Sequence, residues 1–209
     1  MYRLYGYPTQ NTKKVVYVLN ELGIDFEYQP VDLAKGEQKK DDFSKKTPIG
    51  KVPLLQHDEE YLFESGAICR YLANVANSPL YPENKLARAR VDQWMDYFTS
   101  HLGRWFNTLY FETIIKPMRK ELLGEPDKKT CDEALKFIEQ QAKITDDWLS
   151  HNRYFLGETF TIADLFGYAY VEQYIPCKVS LDAYPNLKRW LDEVGSRNSI
   201  KKSKYLFEQ

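Results

Sequence analysis

The sequence predicts an α+β N-terminal domain followed by an all-α helical-bundle C-terminal domain, and three observations predict it. The first seventy-odd residues arrange short apolar runs and helical stretches in the order strand, helix, strand, strand, strand, helix. A segment carrying two prolines and little periodicity, 77–84, then interrupts the pattern and reads as a linker. Beyond it, apolar residues recur every three to four positions, the spacing of helices that bury one face. The expected division is 1–76, a linker at 77–84 and 85–209.

The elements follow from local signals. Tyr2 to Tyr5 is a short aromatic-rich strand ended by Gly6 and Pro8. Val15, Val18, Leu19 and Leu22 then repeat at helical spacing, with Asn11 or Thr12 as the natural N-cap and Gly23 where a helix C-terminal glycine falls. Phe26 to Val31 reads as the second strand, and strand, helix, strand implies a parallel pair. The polar stretch 33–47 reads as a loop or a frayed helix. Val52 to Gln56 and Tyr61 to Glu64 are short apolar runs about a four-residue hairpin connection, residues 57–60. A helix over 65–74 closes the unit, and this βαβ-ββα order is the thioredoxin-like pattern. In the second domain Ala87, Val91, Trp94, Phe98, Leu102, Phe106 and Leu109 keep one helical spacing through a long helix that stops or kinks before Pro117. Leu135, Ile138, Ala142, Thr145 and Leu149 repeat the spacing, and later helices start near Thr161 and Tyr184.

Composition narrows the functional classes. Hydrophobic residues make up 43% and aromatics 15%, which excludes a disordered or collagen-like chain. Lys and Arg number 29 against 30 Asp and Glu, so no net field favours nucleic acid or an anionic membrane. No run of 18 apolar residues exists and the first residues lack a signal-peptide core, so the expected compartment is cytoplasmic. Cys69, Cys131 and Cys177 are far apart with no Cys-x-x-Cys pair, and His57, His101 and His151 are scattered; neither a disulfide framework nor a metal site is expected.

Two motifs carry chemistry. In Gly50-Lys51-Val52-Pro53 the proline has no amide hydrogen, so at the head of a strand it leaves the Val52 backbone groups outside the sheet ladder. An extended peptide can pair with them as an added antiparallel strand. Eleven residues after Pro53 comes Glu64-Ser65-Gly66. Ser65 opens a helical run, where its hydroxyl can cap and the amides of the first turn form a carboxylate site at the positive end of the helix dipole. With Glu64 beside it, the pair complements a zwitterionic α-amino acid: carboxylate to the helix, ammonium to Glu64. A strand-opening proline and an ordinary capped helix account for each motif alone. Their combination at this spacing favours a ligand site.

Lys51-Val52-Pro53 with Glu64-Ser65-Gly66-Ala67-Ile68 strongly resembles the glutathione site of the cytosolic glutathione transferases, and the resemblance covers nearly the whole chain. It implies that the first motif grips the cysteinyl backbone and the second the γ-glutamyl end. Gly157 to Asp164 resembles the capping box and hydrophobic staple of that family, with Thr161 capping, Asp164 reaching back and Phe160 set to meet Leu165. Family members hold the sulfur with a Tyr, Ser or Cys just after the first strand, and here that stretch runs Tyr5-Gly6-Tyr7-Pro8-Thr9-Gln10-Asn11. It contains neither cysteine nor serine. The Pro-Thr-x-Asn-x-x-Lys arrangement is similar to the nu class, whereas Arg90 to Trp94 and Lys116-Pro117 resemble the phi class.

A free cysteine thiol titrates near ~8.5, and lowering that by about two units requires roughly 2.7 kcal/mol. A hydrogen bond to a charged group contributes roughly 1.5–3 kcal/mol, so one or two donors suffice. Thr9 and Asn11 are the first candidates, ahead of Tyr5, for which core packing is the alternative, and of Tyr7. By resemblance Gln38, Lys39 and Lys51 meet the glycyl carboxylate, a solvated lysine-rich loop being the competing reading. Trp105, Phe106, Tyr110 and Met118 are candidates for lining the electrophile pocket, against plain core packing.

The expected activity is conjugation of the glutathione thiolate to a hydrophobic electrophile, as in detoxification, or reduction of an organic peroxide. It requires no metal or organic cofactor, glutathione being the co-substrate. A homodimer is what the resemblance implies. The rivals are a glutathione-dependent disulfide-bond reductase of the nu type and a non-catalytic binding or regulatory module on the same fold.

Overall fold

A computed structural model describes residues 1–207. The backbone divides into two units, one formed by Met1–Tyr81 together with residues 197–207, the other by Pro82–Ser196.

The first unit is built on a four-stranded sheet of order β2-β1-β3-β4, with β1 Tyr2–Gly6, β2 Phe26–Pro30, β3 Leu54–His57 and β4 Glu60–Phe63. β1 and β2 are parallel, as the intervening helix α1 (Gln10–Leu22) requires; β3 and β4 run antiparallel to their neighbours. Leu4, Leu54 and Leu55 are fully buried at the centre, with Val15, Val18 and Leu19 of α1 and Ile68 and Leu72 of α3 (Ser65–Val75). α1 ends where the sequence indicates. Gly23 takes φ 66°, its N–H donates to Asn20 O, and the Ile24 N–H donates to Leu19 O at 3.0 Å, which together satisfy the last carbonyls of the helix.

Several local expectations are corrected. The N-cap of α1 is Thr9, not Asn11 or Thr12. β3 starts at Leu54, after the proline that cannot donate to the ladder. The hairpin connection has two residues, because His57 and Glu60 still pair and Asp58 supplies the left-handed turn conformation at φ 52°. The polar stretch 33–47 contains a 3-10 turn, Glu37–Lys39, and a one-turn helix α2, Asp41–Ser44.

The second unit is helical: α4 Lys85–Ser100, α5 Leu102–Tyr110, α6 Lys116–Met118, α7 Lys120–Leu123, α8 Lys128–Leu149, α9 Ile162–Val171 and α10 Pro185–Gly195. The expected long helix is broken at His101 (φ −120°, ψ −97°) into α4 and α5. Before Pro117 the regular helix gives way to five residues of π-helix, Phe111–Ile115, which lead into α6 with the proline in its first turn. Phe155 sits at the centre of the core, with ring centroids of Trp94, Phe98 and Trp190 at 4.7, 4.9 and 5.0 Å. Asp164, fully buried, accepts from the amides of Thr161 (2.8 Å) and Phe155 (3.1 Å) and from Trp190 Nε1 (3.0 Å). The expected capping box at Thr161 is present, and Phe160 meets the Tyr154 ring edge-on.

The last helix, α11 (Asn198–Phe207), lies on α1 and so belongs to the first unit, not to the helical one in which the expected 85–209 span placed it. Asn20 Nδ2 donates to Ser203 Oγ at 2.8 Å and to Ser199 O at 3.2 Å. The Arg197 guanidinium pairs with Glu21. A helix this remote in sequence is placed by polar contacts that no local pattern announces.

Candidate functional site

Strand register brings the predicted motifs together. Leu54 pairs with Tyr5 on one side and with Phe63 on the other, so these three residues form a row across adjacent strands. Strands lie about 4.8 Å apart, so the row spans roughly 10 Å. Just past it, on one edge of the sheet, lie the exit of β1 toward Thr9 and Asn11, Val52 and Pro53 entering β3, and Glu64 and Ser65 leaving β4. β2 ends at the same edge, since Gly6 pairs with Pro30, and the loop carrying Gln38 and Lys39 departs from it.

Each predicted group can be placed. The Val52-Pro53 bond is cis, and Val52 lies outside the ladder and half-buried, against the cluster of Tyr5, Val31, Phe43 and Leu54. Ser65 is the first residue of α3, not its cap; Glu64 holds the cap position with no side-chain hydrogen bond to the helix. The first amides of α3 have no intrahelical partner and point at the positive end of the dipole. Glu64 itself adopts φ 68°, ψ 111°, a conformation costing a non-glycine residue about 1–3 kcal/mol and concentrated at ligand clamps. That strain was not visible in the sequence.

Thr9 caps α1 with its hydroxyl oxygen, which accepts from Thr12 N at 3.3 Å; a hydroxyl that accepts through a lone pair keeps one proton to donate. It also lies 3.3 Å from Thr12 Oγ1. Asn11 is half-buried and its Oδ1 accepts from Lys14 Nζ at 2.7 Å. Lys14, which sequence reasoning passed over, is fully buried; burial pushes its ammonium well below the usual lysine range, partly offset by Cys69 and Glu64. Its signal was available: position 14 falls one helical turn before Val18, on the face predicted to be buried.

Tyr5 is placed elsewhere. It is 6% exposed, and its hydroxyl donates to Gln56 Oε1 at 3.0 Å, two residues further along β3 from Leu54 and away from the edge that carries Thr9. Lys46 lies over its ring, 4.6 Å from the centroid. Its burial and its hydrogen bond within the sheet are what the core-packing alternative expects.

Gln38 Oε1 is buried and has no hydrogen-bond partner, an exception that calls for one, and the Gln38 carbonyl oxygen runs beside Gly50, next to Lys51. Lys39 and Lys51 are exposed. In the helical unit Trp105 stacks on Phe137 at 4.4 Å with the Arg104 guanidinium 5.2 Å from its ring. Phe106 is fully buried core and so leaves the set of pocket candidates; Tyr110 is half-buried and Met118 exposed. Burial raises the Cys69 thiol to about 12 and the Cys177 thiol to about 11, so neither is a nucleophile at neutral pH.

A four-stranded mixed sheet of this order flanked by α1 and α3 is a thioredoxin-like fold, joined here to a helical domain. Residues 1–74 match the family model of the glutathione S-transferase N-terminal domain and residues 98–198 that of its C-terminal domain. The chain is 34% identical to Glutathione S-transferase 3 of Zea mays over 96% of its length and 92% of that protein. It is 32% identical to glutathione S-transferase-I, whose structure with lactoylglutathione superposes with a TM-score of 0.87 over 96% of this chain and 97% of that one. Glutathione transferase F2 of Populus trichocarpa, 28% identical, superposes at 0.91 over 100% and 99%. The chain belongs to the glutathione S-transferase family, and its plant relatives agree with the phi-like features of the second domain.

Proposed function

We propose that the chain is a glutathione transferase that binds glutathione along the sheet edge after β1 and β4, holds its sulfur as a thiolate with Thr9 and Asn11, and conjugates it to a hydrophobic electrophile. The observation that carries this reading is the common register of Tyr5, Leu54 and Phe63, which delivers three complementary elements to one edge. The Val52 backbone takes the cysteinyl residue as an added strand. The amino end of α3 takes the γ-glutamyl carboxylate, and Glu64 its ammonium group. Gln38 Oε1 awaits a donor, and Lys39 and Lys51 stand near enough in the chain to meet the glycyl carboxylate.

Thr9 and Asn11 act without changing their own protonation. Each supplies a donor to the sulfur, and two such bonds meet the roughly 2.7 kcal/mol needed to lower the thiol by about two units. The thiolate attacks the electrophilic carbon, the new carbon–sulfur bond forms as the leaving group departs, and the thiol proton goes to solvent. The site calls for no metal or organic cofactor beyond glutathione as co-substrate. We further read the protein as a cytoplasmic homodimer acting in detoxification. Among the described residues no helix is long and apolar enough to cross a membrane.

The test is an assay of the purified protein with glutathione against a chlorodinitrobenzene and against hydroxyethyl disulfide. Conjugation supports the reading. Activity on the disulfide alone assigns the protein to the reductase reading, and failure of calorimetry to detect glutathione at millimolar concentration assigns it to the binding-module reading.

A further inference from the structure

We propose that Lys14 is a positioning residue for thiol activation, its Nζ gripping the carbonyl oxygen of Asn11 so that the amide nitrogen is the atom presented to the glutathione sulfur. The inference rests on Asn11 being a thiol donor, as read above. An asparagine amide has two nearly symmetric ends of opposite polarity, one an acceptor and the other a double donor. A thiolate is stabilised only by the donor end. The oxygen end turned toward it would raise the thiol pKa, so an asparagine free to flip is a poor activator.

Lys14 removes the ambiguity. Its Nζ has hydrogens to give and, as an ammonium, no lone pair, so the 2.7 Å contact is possible only with Oδ1; Nδ2 is then on the side away from Lys14. The spacing of three residues on α1 puts both side chains on one face of the helix. The cost shows that the arrangement is not incidental. Lysine is rarely fully buried, and Lys14 is fully buried with its Nζ held 2.7 Å from Asn11 Oδ1. Glu64, at the head of α3, and Cys69, within α3, are the titratable groups whose charge it feels; Glu64 favours its ammonium form, while Cys69 stays protonated at neutral pH. The positioning role belongs to the ammonium form of Lys14, since a neutral amine carries a lone pair and could equally accept from Nδ2.

The experiment compares Lys14→Met, Lys14→Arg, Asn11→Ala and the Lys14→Met/Asn11→Ala double variant. For each, the ultraviolet absorbance of bound glutathione thiolate is titrated against pH, glutathione affinity is measured by calorimetry and folding by thermal unfolding. Lys14→Met is expected to raise the bound thiol midpoint by about one pH unit, a tenfold loss of thiolate below it. Lys14→Arg, which keeps a donor, restores the wild-type midpoint, and the double variant shifts no further than Asn11→Ala. A wild-type midpoint in Lys14→Met while Asn11→Ala shifts overturns the inference alone. Additive shifts in the double variant also overturn it. No shift in Asn11→Ala overturns the donor reading of Asn11 and the inference with it. Lys14→Leu is a second apolar variant, read in the same way should the methionine fail to fold.

Discussion

The hydroxyl of Tyr5 donates to Gln56 Oε1 at 3.0 Å, turning the phenol along the sheet and away from the edge where Thr9 stands. On the proposed reading, that relationship gives Tyr5 a role in the fold. Tyr5→Phe is expected to lose about 1 kcal/mol of stability, one net hydrogen bond, with kcat/KM for conjugation unchanged. Denaturant unfolding and steady-state kinetics on the same preparation check it.

Thr9→Ala and Asn11→Ala behave in the opposite way. Each removes a donor to a charged sulfur worth roughly 1.5–3 kcal/mol, so kcat/KM at neutral pH falls about 10- to 100-fold and the rate profile moves to higher pH. Thr9→Ala additionally removes the cap of α1 and costs about 1 kcal/mol of stability. Kinetics across pH separates the two effects, because cap loss does not move a titration.

Glu64→Gly divides binding from folding. Glycine relieves the φ 68° conformation, so the unfolding free energy rises by about 1 kcal/mol, while the partner of the γ-glutamyl ammonium is lost and glutathione binds about tenfold more weakly. Calorimetry and thermal unfolding are expected to move in opposite senses.

Gly6→Ala tests the link between sheet and site. A Cβ at Gly6 would lie 2.5 Å from Thr12 Cγ2 and 2.8 Å from a Tyr28 ring carbon, and Thr12 N is the donor that holds Thr9. Loss of about 1–3 kcal/mol of stability and a weakened grip on glutathione are expected together.

The Glu21 and Arg197 pair that ties α11 to α1 gives a pH signature. Burial raises the Glu21 carboxyl, but the hydrogen bonds from Arg197 and Ser199 outweigh it and hold the group below its usual range. Its contribution is therefore complete above the unfolded carboxylate value and disappears as pH falls through the lower folded value. Glu21→Gln is expected to remove about 1–2 kcal/mol near neutral pH, between the exposed and buried limits, and to flatten the acid limb of unfolding free energy against pH.

The strand and helix order, and the two ligand motifs, were legible because each rests on local signals: a proline that cannot enter a ladder, an acid and a serine before an apolar helix, a glycine after one. Three features were not. The docking of α11 depends on contacts such as Asn20 to Ser199, 179 positions apart. Glu64 strain arises from joining β4 to α3 at a fixed angle, which composition does not encode. The burial of Lys14 is legible only once the helix face is drawn, since beside Lys13 it looks like half of a solvated pair; what the sequence hides is its contact with Asn11. Thr9 is not marked out as the cap of α1 either, since Asn11 and Thr12 offer equally good capping side chains nearby.

The most direct measurement is the pH titration of glutathione thiolate on the wild-type protein, followed by ultraviolet absorbance. A bound thiol with its midpoint about two units below the free value of ~8.5 is the predicted result. A bound thiol that titrates like the free tripeptide would contradict the claim that this sheet edge holds glutathione as an anion.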